Sequence, residues 1–262
     1  MKKQNSLKTH IIAFTVFILF MLACGGSKLE PTTPANSTNS SSSPTNSSGN
    51  SANTTNTTPT TAAVKEIAGS YGVKGTNVNG QGTYEGNLTI TKRGEVYQFS
   101  WDVGGSKYDG VGVLTDNAIA VSYTEGADGK GCGVALYKIG SDGSLDGKSG
   151  YWGSDNGETE KATRTSGTDL AGEYDATGKN PKGEEYKSKL TILPSGPGFT
   201  FKWKGSNAID GLGVRQGNFA VAGFGGKQCS FVAYEIKSDG SLEGRWGGLG
   251  TVTFGTEKAV KK

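Results

Sequence analysis

The chain has 262 residues with 27 basic and 24 acidic side chains, a net charge of +3, 43 glycines and one histidine. Near-neutrality at this length leaves no basic footprint for nucleic acid, and no nucleic-acid partner is expected. Because the single histidine, His10, lies in an N-terminal leader, Ser-His-Asp triads, Cys-His pairs and histidine-ligated zinc are excluded from the rest; no catalytic site, cofactor or metal is expected.

Residues 1–23 follow the plan of a secretory signal, with Lys2, Lys3 and Lys8 ahead of an apolar run from Ile11 to Leu22. That run is about a dozen residues, short of the roughly 20 needed for a spanning helix. Its ending, Met21, Leu22, Ala23, Cys24, Gly25, Gly26, resembles the lipobox of bacterial lipoproteins. The resemblance implies cleavage before Cys24, diacylglycerol on its thiol and a membrane as partner through that lipid, two or three acyl chains giving stable anchoring. Glycines after the cysteine, with no Asp beside it, resemble lipoproteins sent to the outer membrane. The leader removes three lysines and no acidic residue, so 27 basic residues less three leaves 24, equal to the 24 acidic ones.

Within residues 24–66, the stretch from roughly Glu30 to Ala63 is dominated by Ser, Thr, Asn and Pro with almost no apolar side chain. Such a composition cannot bury enough surface to offset the entropy of ordering, and it reads as a disordered tether. A flexible chain of about 35 residues reaches roughly 30 to 35 Å, enough to lift a folded part off a membrane.

The remainder is an internal duplication, residues 67–165 and 168–262. Ala68 and Tyr71 return as Ala171 and Tyr174, Leu88 and Ile90 as Leu190 and Ile192, and Phe99 and Trp101 as Phe201 and Trp203. Asp109 returns as Asp210, Ser141 to Gly147 as Ser238 to Gly244, and Thr159 to Ala162 as Thr256 to Ala259. Within each copy apolar residues alternate with polar ones, as in Tyr84, Gly86, Leu88, Ile90 and in Tyr97, Phe99, Trp101, the signature of strands with one dry face. Turn signals recur about every ten residues: Asn79-Gly80, Arg93-Gly94, Gly104-Gly105, Asp116-Asn117, Asp128-Gly129 and Asp142-Gly143. The pattern predicts an all-β protein, two tandem antiparallel meanders of about eight strands. They are expected to close as calycin-like barrels, with β-sandwiches as the alternative.

Trp101 and Trp203 occupy matching inward positions, where a Trp either fills a small barrel's core or lines a ligand cavity. Asp142, Ser144 and Asp146 have alternating oxygen spacing, but Gly153 stands where a calcium loop needs Glu, so the segment reads as a hairpin. Cys132 and Cys229 open equivalent strands on which both faces are apolar. Cys132 shares one face with Val134 and Leu136, and Tyr137 and Ile139 lie on the other, so one face should meet the core and the other the second copy. An inter-domain disulfide and two separately buried thiols are both compatible with that placement. The acids Asp109 with Asp210, and Glu160 with Glu257, are one residue per copy, which duplication explains; a catalytic pair would need two acids converging in one cleft.

The ordered series of Gly-x-Tyr, Leu-Thr-Ile, aromatic-x-Phe-x-Trp, Asp-Gly-x-Gly-Val and Asp-Gly-Ser-Leu resembles a group of small exported Gly-rich bacterial proteins, some labelled fibronectin-binding. Those motifs are structural and say little about a site; the long polar tether, the duplication and the missing catalytic residues point to a non-catalytic binding or adhesion module on the outer membrane, with an extracellular protein such as fibronectin, or a glycan, as the expected partner. A calycin-like carrier of a small apolar ligand and a structural envelope protein are the alternatives. An open aromatic-lined cavity would favour the carrier.

Overall fold

The computed structural model describes residues 66–126, 128–226 and 229–262. The signal segment, the lipidation cysteine Cys24 and nearly all of the tether lie outside the described residues. Sixteen strands follow in chain order. In the first copy these are β1 Gly69–Thr76, β2 Thr83–Arg93, β3 Val96–Val103, β4 Ser106–Thr115, β5 Ala118–Glu125, β6 Cys132–Ile139, β7 Leu145–Tyr151 and β8 Glu158–Thr168. The second copy supplies β9 Ala171–Lys179, β10 Glu185–Ser195, β11 Gly198–Lys204, β12 Ala208–Gln216, β13 Phe219–Gly225, β14 Ser230–Ile236, β15 Leu242–Gly247 and β16 Gly255–Lys261. A single 3-10 turn, Val78–Gly80, joins β1 to β2.

All pairings are antiparallel, and the strands close into two eight-stranded barrels, as the alternation and turn spacing predict. Which strands close which barrel is not readable from the repeat. β5 does not fold back on β6; it pairs with β14, with Val121 opposite Val232, while β6 pairs with β13, with Leu136 opposite Val221. The first barrel is therefore β1–β5 completed by β14–β16, and the second is the continuous run β6–β13. The boundary between sequence copies falls inside the β8–β9 hairpin of the second barrel, where Thr168 faces Ala171. Each barrel contains every type of strand once, and each takes strands from both copies.

Five of the six turn signals sit between paired strands. Asn79, Gly94, Gly104, Asp116 and Gly143 all have positive φ there, the conformation those residues tolerate. The sixth, Asp128-Gly129, lies in the crossover from the first barrel to the second. A turn residue fixes local backbone curvature, whereas the strand's partner is chosen by the apolar face it must cover. The Ser141–Gly147 segment is a hairpin: Asp142 accepts hydrogen bonds from the Ser144 N–H at 2.9 Å and its hydroxyl at 2.6 Å, and Leu145 is buried in the second core.

The inward faces form two separate cores, one around Leu88, Phe99, Ile119 and Leu242 and one around Leu145, Leu190, Phe201 and Ala220. At the closed end of each barrel a buried tyrosine donates to a backbone carbonyl, Tyr71 to Ile67 at 2.7 Å and Tyr174 to Leu170 at 2.9 Å. A third apolar cluster joins the outer faces of the barrels: Val111, Val113 and Ala120 with Phe231 and Ala233 from the first, Val134, Leu136, Val214 and Val221 from the second. The two-faced strands are thus used as the pattern suggests, Val134 and Leu136 facing the other barrel and Tyr137 facing its own core. Cys132 and Cys229 form a disulfide with Cα atoms 5.8 Å apart, tying together the two places where the chain crosses between barrels.

Candidate functional site

Opposite its closed end, each barrel holds a cavity at its mouth, about 270 Å³ in the first and about 330 Å³ in the second. Period-two alternation delivers the side chains. In β2, the residue two before Gly86 and four before the buried Leu88 is Tyr84, which must point inward; in β16, Glu257 is inward because Ala259 is.

In the first barrel Glu257, only 6% exposed, is the centre of a hydrogen-bond cluster. Its Oε2 accepts from the Tyr84 hydroxyl at 2.7 Å, and its Oε1 accepts from Trp101 Nε1 at 3.0 Å and from the Tyr234 hydroxyl. Burial raises the Glu257 carboxyl above the usual carboxylate range, and the three donors pull partly the other way. In the second barrel Glu160, also 6% exposed, takes the equivalent place. Tyr137 donates to it at 2.6 Å, Tyr186 at 3.1 Å and Ser188 at 3.4 Å, and Trp203 Nε1 is shared between the Tyr137 hydroxyl and Glu160. Each cluster mixes copies: Tyr84 and Trp101 come from the first and Tyr234 and Glu257 from the second, while Glu160 and Tyr137 come from the first and Tyr186 and Trp203 from the second. Neither quartet would exist if only one copy's first five strands were present.

A glycine on the neighbouring strand makes room for each tyrosine. A Cβ at Gly75 would lie 2.3 Å from the Tyr84 ring, at Gly178 2.5 Å from Tyr186, at Gly147 2.5 Å from Tyr137 and at Gly244 2.5 Å from Tyr234. The rings lie flat across these bare backbone positions, which fixes their hydroxyls toward the glutamates.

Around this shared centre the cavities have diverged. The first is aromatic: Tyr108, Tyr123 and Trp246 join Tyr84 and Trp101, with Tyr123 5.3 Å from Trp101 and 5.8 Å from Tyr108 between ring centres. In the second, Phe224 and Ile209 replace Tyr123 and Tyr108, and Ser149 replaces Trp246. The second also gains Glu158, which accepts from Ser149 at 3.0 Å and Tyr151 at 3.4 Å and is raised by its own burial. Two acids therefore converge in the second cavity, the condition set above for a carboxylate enzyme. They stand side by side on one face of β8 instead of flanking a gap, and Glu160 already has donors on both oxygens.

Trp101 and Trp203, 5% and 9% exposed, are each packed in a barrel core and also line its mouth cavity. The four tyrosines and the roles of Glu160 and Glu257 are not evident from the duplication alone. The available signal was the alternation in Thr159 to Ala162, which places Glu160 on the same inward face as Ala162. Asp109 and Asp210 do not form a site: Asp109 is buried beneath Gln98 and Ser100, and Asp210 is exposed. No family model, curated protein or solved structure matches the chain.

Proposed function

We propose that the chain is a non-catalytic binding lipoprotein of the bacterial outer membrane, lipid on Cys24 and the tether holding two barrels that each take a small, largely apolar ligand in the mouth cavity. The observation that carries this reading is the pair of open cavities, each with aromatic walls and a few convergent polar groups at its base. That is the composition expected of a small-molecule site, at the barrel position where such sites form. A core-filling role alone would leave no such space around Trp101 and Trp203. The experiment is a small-molecule screen on the intact chain, read by melting temperature and by the fluorescence of its tryptophans. Binders that quench Trp101 or Trp203 and raise the melting temperature support the carrier reading; a broad library of small aromatic and apolar compounds with no binder rejects it.

An adhesion module facing an extracellular protein such as fibronectin is the second reading, favoured by the turn between β15 and β16. There Leu249 and Val252 stand 77% and 76% exposed. Asn79 holds the turn by accepting from the N–H groups of Val252 at 2.8 Å and Thr253 at 3.0 Å. Rigid, exposed apolar side chains suit a protein contact. Protease shaving of intact cells separates the readings, since an adhesin must be removed and full protection leaves the carrier.

A further inference from the structure

We infer that the ligand of the first barrel is a small organic cation, an alkyl- or arylammonium whose charged end sits between Glu257 and the aromatic walls; this rests on the carrier reading above.

Charge is the first argument. Glu257 is the only ionisable acid or base among the residues lining the first cavity apart from tyrosines; no Lys, Arg or Asp lines it. The second cavity, by contrast, carries Lys148 and Lys187 along with its two glutamates. An anionic ligand finds no counter-charge in the first barrel, whereas a cation finds one.

Hydrogen-bond capacity is the second. An ionised carboxylate has about four acceptor sites. Glu257 has three of these occupied, by Tyr84, Trp101 and Tyr234, and its remaining capacity is on a group that lines the cavity. All three partners arrive as donors, which holds the carboxylate ready to accept one more N–H. The equivalent Glu160 receives four side-chain donors, so its capacity is used internally.

The walls are the third. Tyr84, Trp101, Tyr108, Tyr123 and Trp246 surround the space above the carboxylate. Tyr84 and Trp246 meet edge to face at 6.2 Å, and Trp101 and Tyr123 are tilted by 50°, so the rings present faces from several directions. A box of aromatic faces around one carboxylate is the arrangement that stabilises an ammonium group after its water is removed. A neutral apolar ligand would use the walls but leave Glu257 without gain, and a cavity of about 270 Å³ limits the guest to one ring with a short arm.

The test titrates the intact chain with phenethylamine and with 2-phenylethanol, which have the same ring and arm but differ in charge. The readouts are tryptophan fluorescence and calorimetry, on wild type, Glu257→Gln and Glu158→Gln. The inference expects phenethylamine to bind about tenfold or more tighter than the alcohol at neutral pH, a charge-assisted contact against a neutral one. Glu257→Gln should lose that preference while still binding the alcohol, which also shows that the variant is folded; Glu158→Gln should keep it. Equal affinity for amine and alcohol in the wild type overturns the cation inference and leaves the carrier reading standing. A preference that survives Glu257→Gln and disappears in Glu158→Gln moves the site to the second barrel and also overturns it. Binding of neither probe overturns the inference together with the carrier reading of this barrel.

Discussion

At the scale of single residues, the cost of the buried glutamates is the main energetic feature. A carboxylate withdrawn from water favours its protonated form, so the folded protein binds the Glu257 proton more tightly than the unfolded chain, whose value is near 4.5. For an acid raised in this way, the stabilising contribution is complete below about pH 4.5 and is lost as pH rises through the folded value. Glu257→Gln does not titrate. Its melting temperature should therefore rise relative to wild type as pH increases from 4.5, then run parallel above the folded value; each tenfold change in proton affinity corresponds to about 1.4 kcal/mol. Glu158 and Asp109 are raised too, but they are common to both proteins and cancel in the difference. A difference that stays constant with pH would show that folding leaves this carboxyl's proton affinity unchanged.

At the scale of strands, the glycine-tyrosine pairs make a sharper demand than strand propensity does. At Gly178 an added Cβ would meet the Thr159 carbonyl oxygen at 2.4 Å and the Tyr186 ring at 2.5 Å, so ring and backbone are both in the way. Gly178→Ala is expected to destabilise by about 1–3 kcal/mol, as overpacking does, and to weaken ligand binding in the second barrel by moving Tyr186 off Glu160. Gly226→Ala, where the added carbon meets nothing within 4 Å, is the control and should be nearly neutral by chemical denaturation. Strands and hairpins are the most legible part of the sequence. Tyr97, Phe99 and Trp101 alternate over a range that becomes β3, and Gly94 and Gly104 mark its neighbouring turns because few other residues accept positive φ. The site was less legible for a related reason. Alternation shows that Glu160, Glu257, Tyr84 and Tyr186 face inward, but their convergence depends on which strands are neighbours around the closed barrel, and β16 meets β1 only through closure.

At the scale of the whole molecule, the duplication and the fold have different units. Each copy carries a complete set of eight strands, so nothing local tells β5 whether to pair with β6 or with its counterpart β14. The apolar outer faces settle it: with the strands exchanged, Val134 and Leu136 pack against Val111, Ala120 and Phe231 across the junction. The second barrel should then be an independent folding unit although it straddles two copies. A fragment of residues 130–226, with Cys132→Ser, is expected to give an all-β circular dichroism spectrum and a cooperative melt. It should self-associate through its uncovered outer face in light scattering. A disordered spectrum would mean that the second barrel needs the first as a template.

The disulfide between Cys132 and Cys229 spans 97 residues of chain, and those residues are the inserted barrel. During synthesis the chain emerges from its N-terminus, so β1–β5 arrive as an open sheet whose missing partners are still to come. The second barrel can close as soon as β13 emerges, by neighbour-to-neighbour pairing throughout apart from the β6–β13 seam. The first barrel has to wait for β14–β16 and then join strands from opposite ends of the polypeptide, the kind of distant pairing that slows folding and leaves edges exposed in the interval. The β6–β13 seam sets Gly225 opposite Cys132, four residues before Cys229, so closing the second barrel already brings the cysteines together. Oxidation can therefore accompany closure of the second barrel, and the bond then holds the start of β14 beside that barrel while the first is still open.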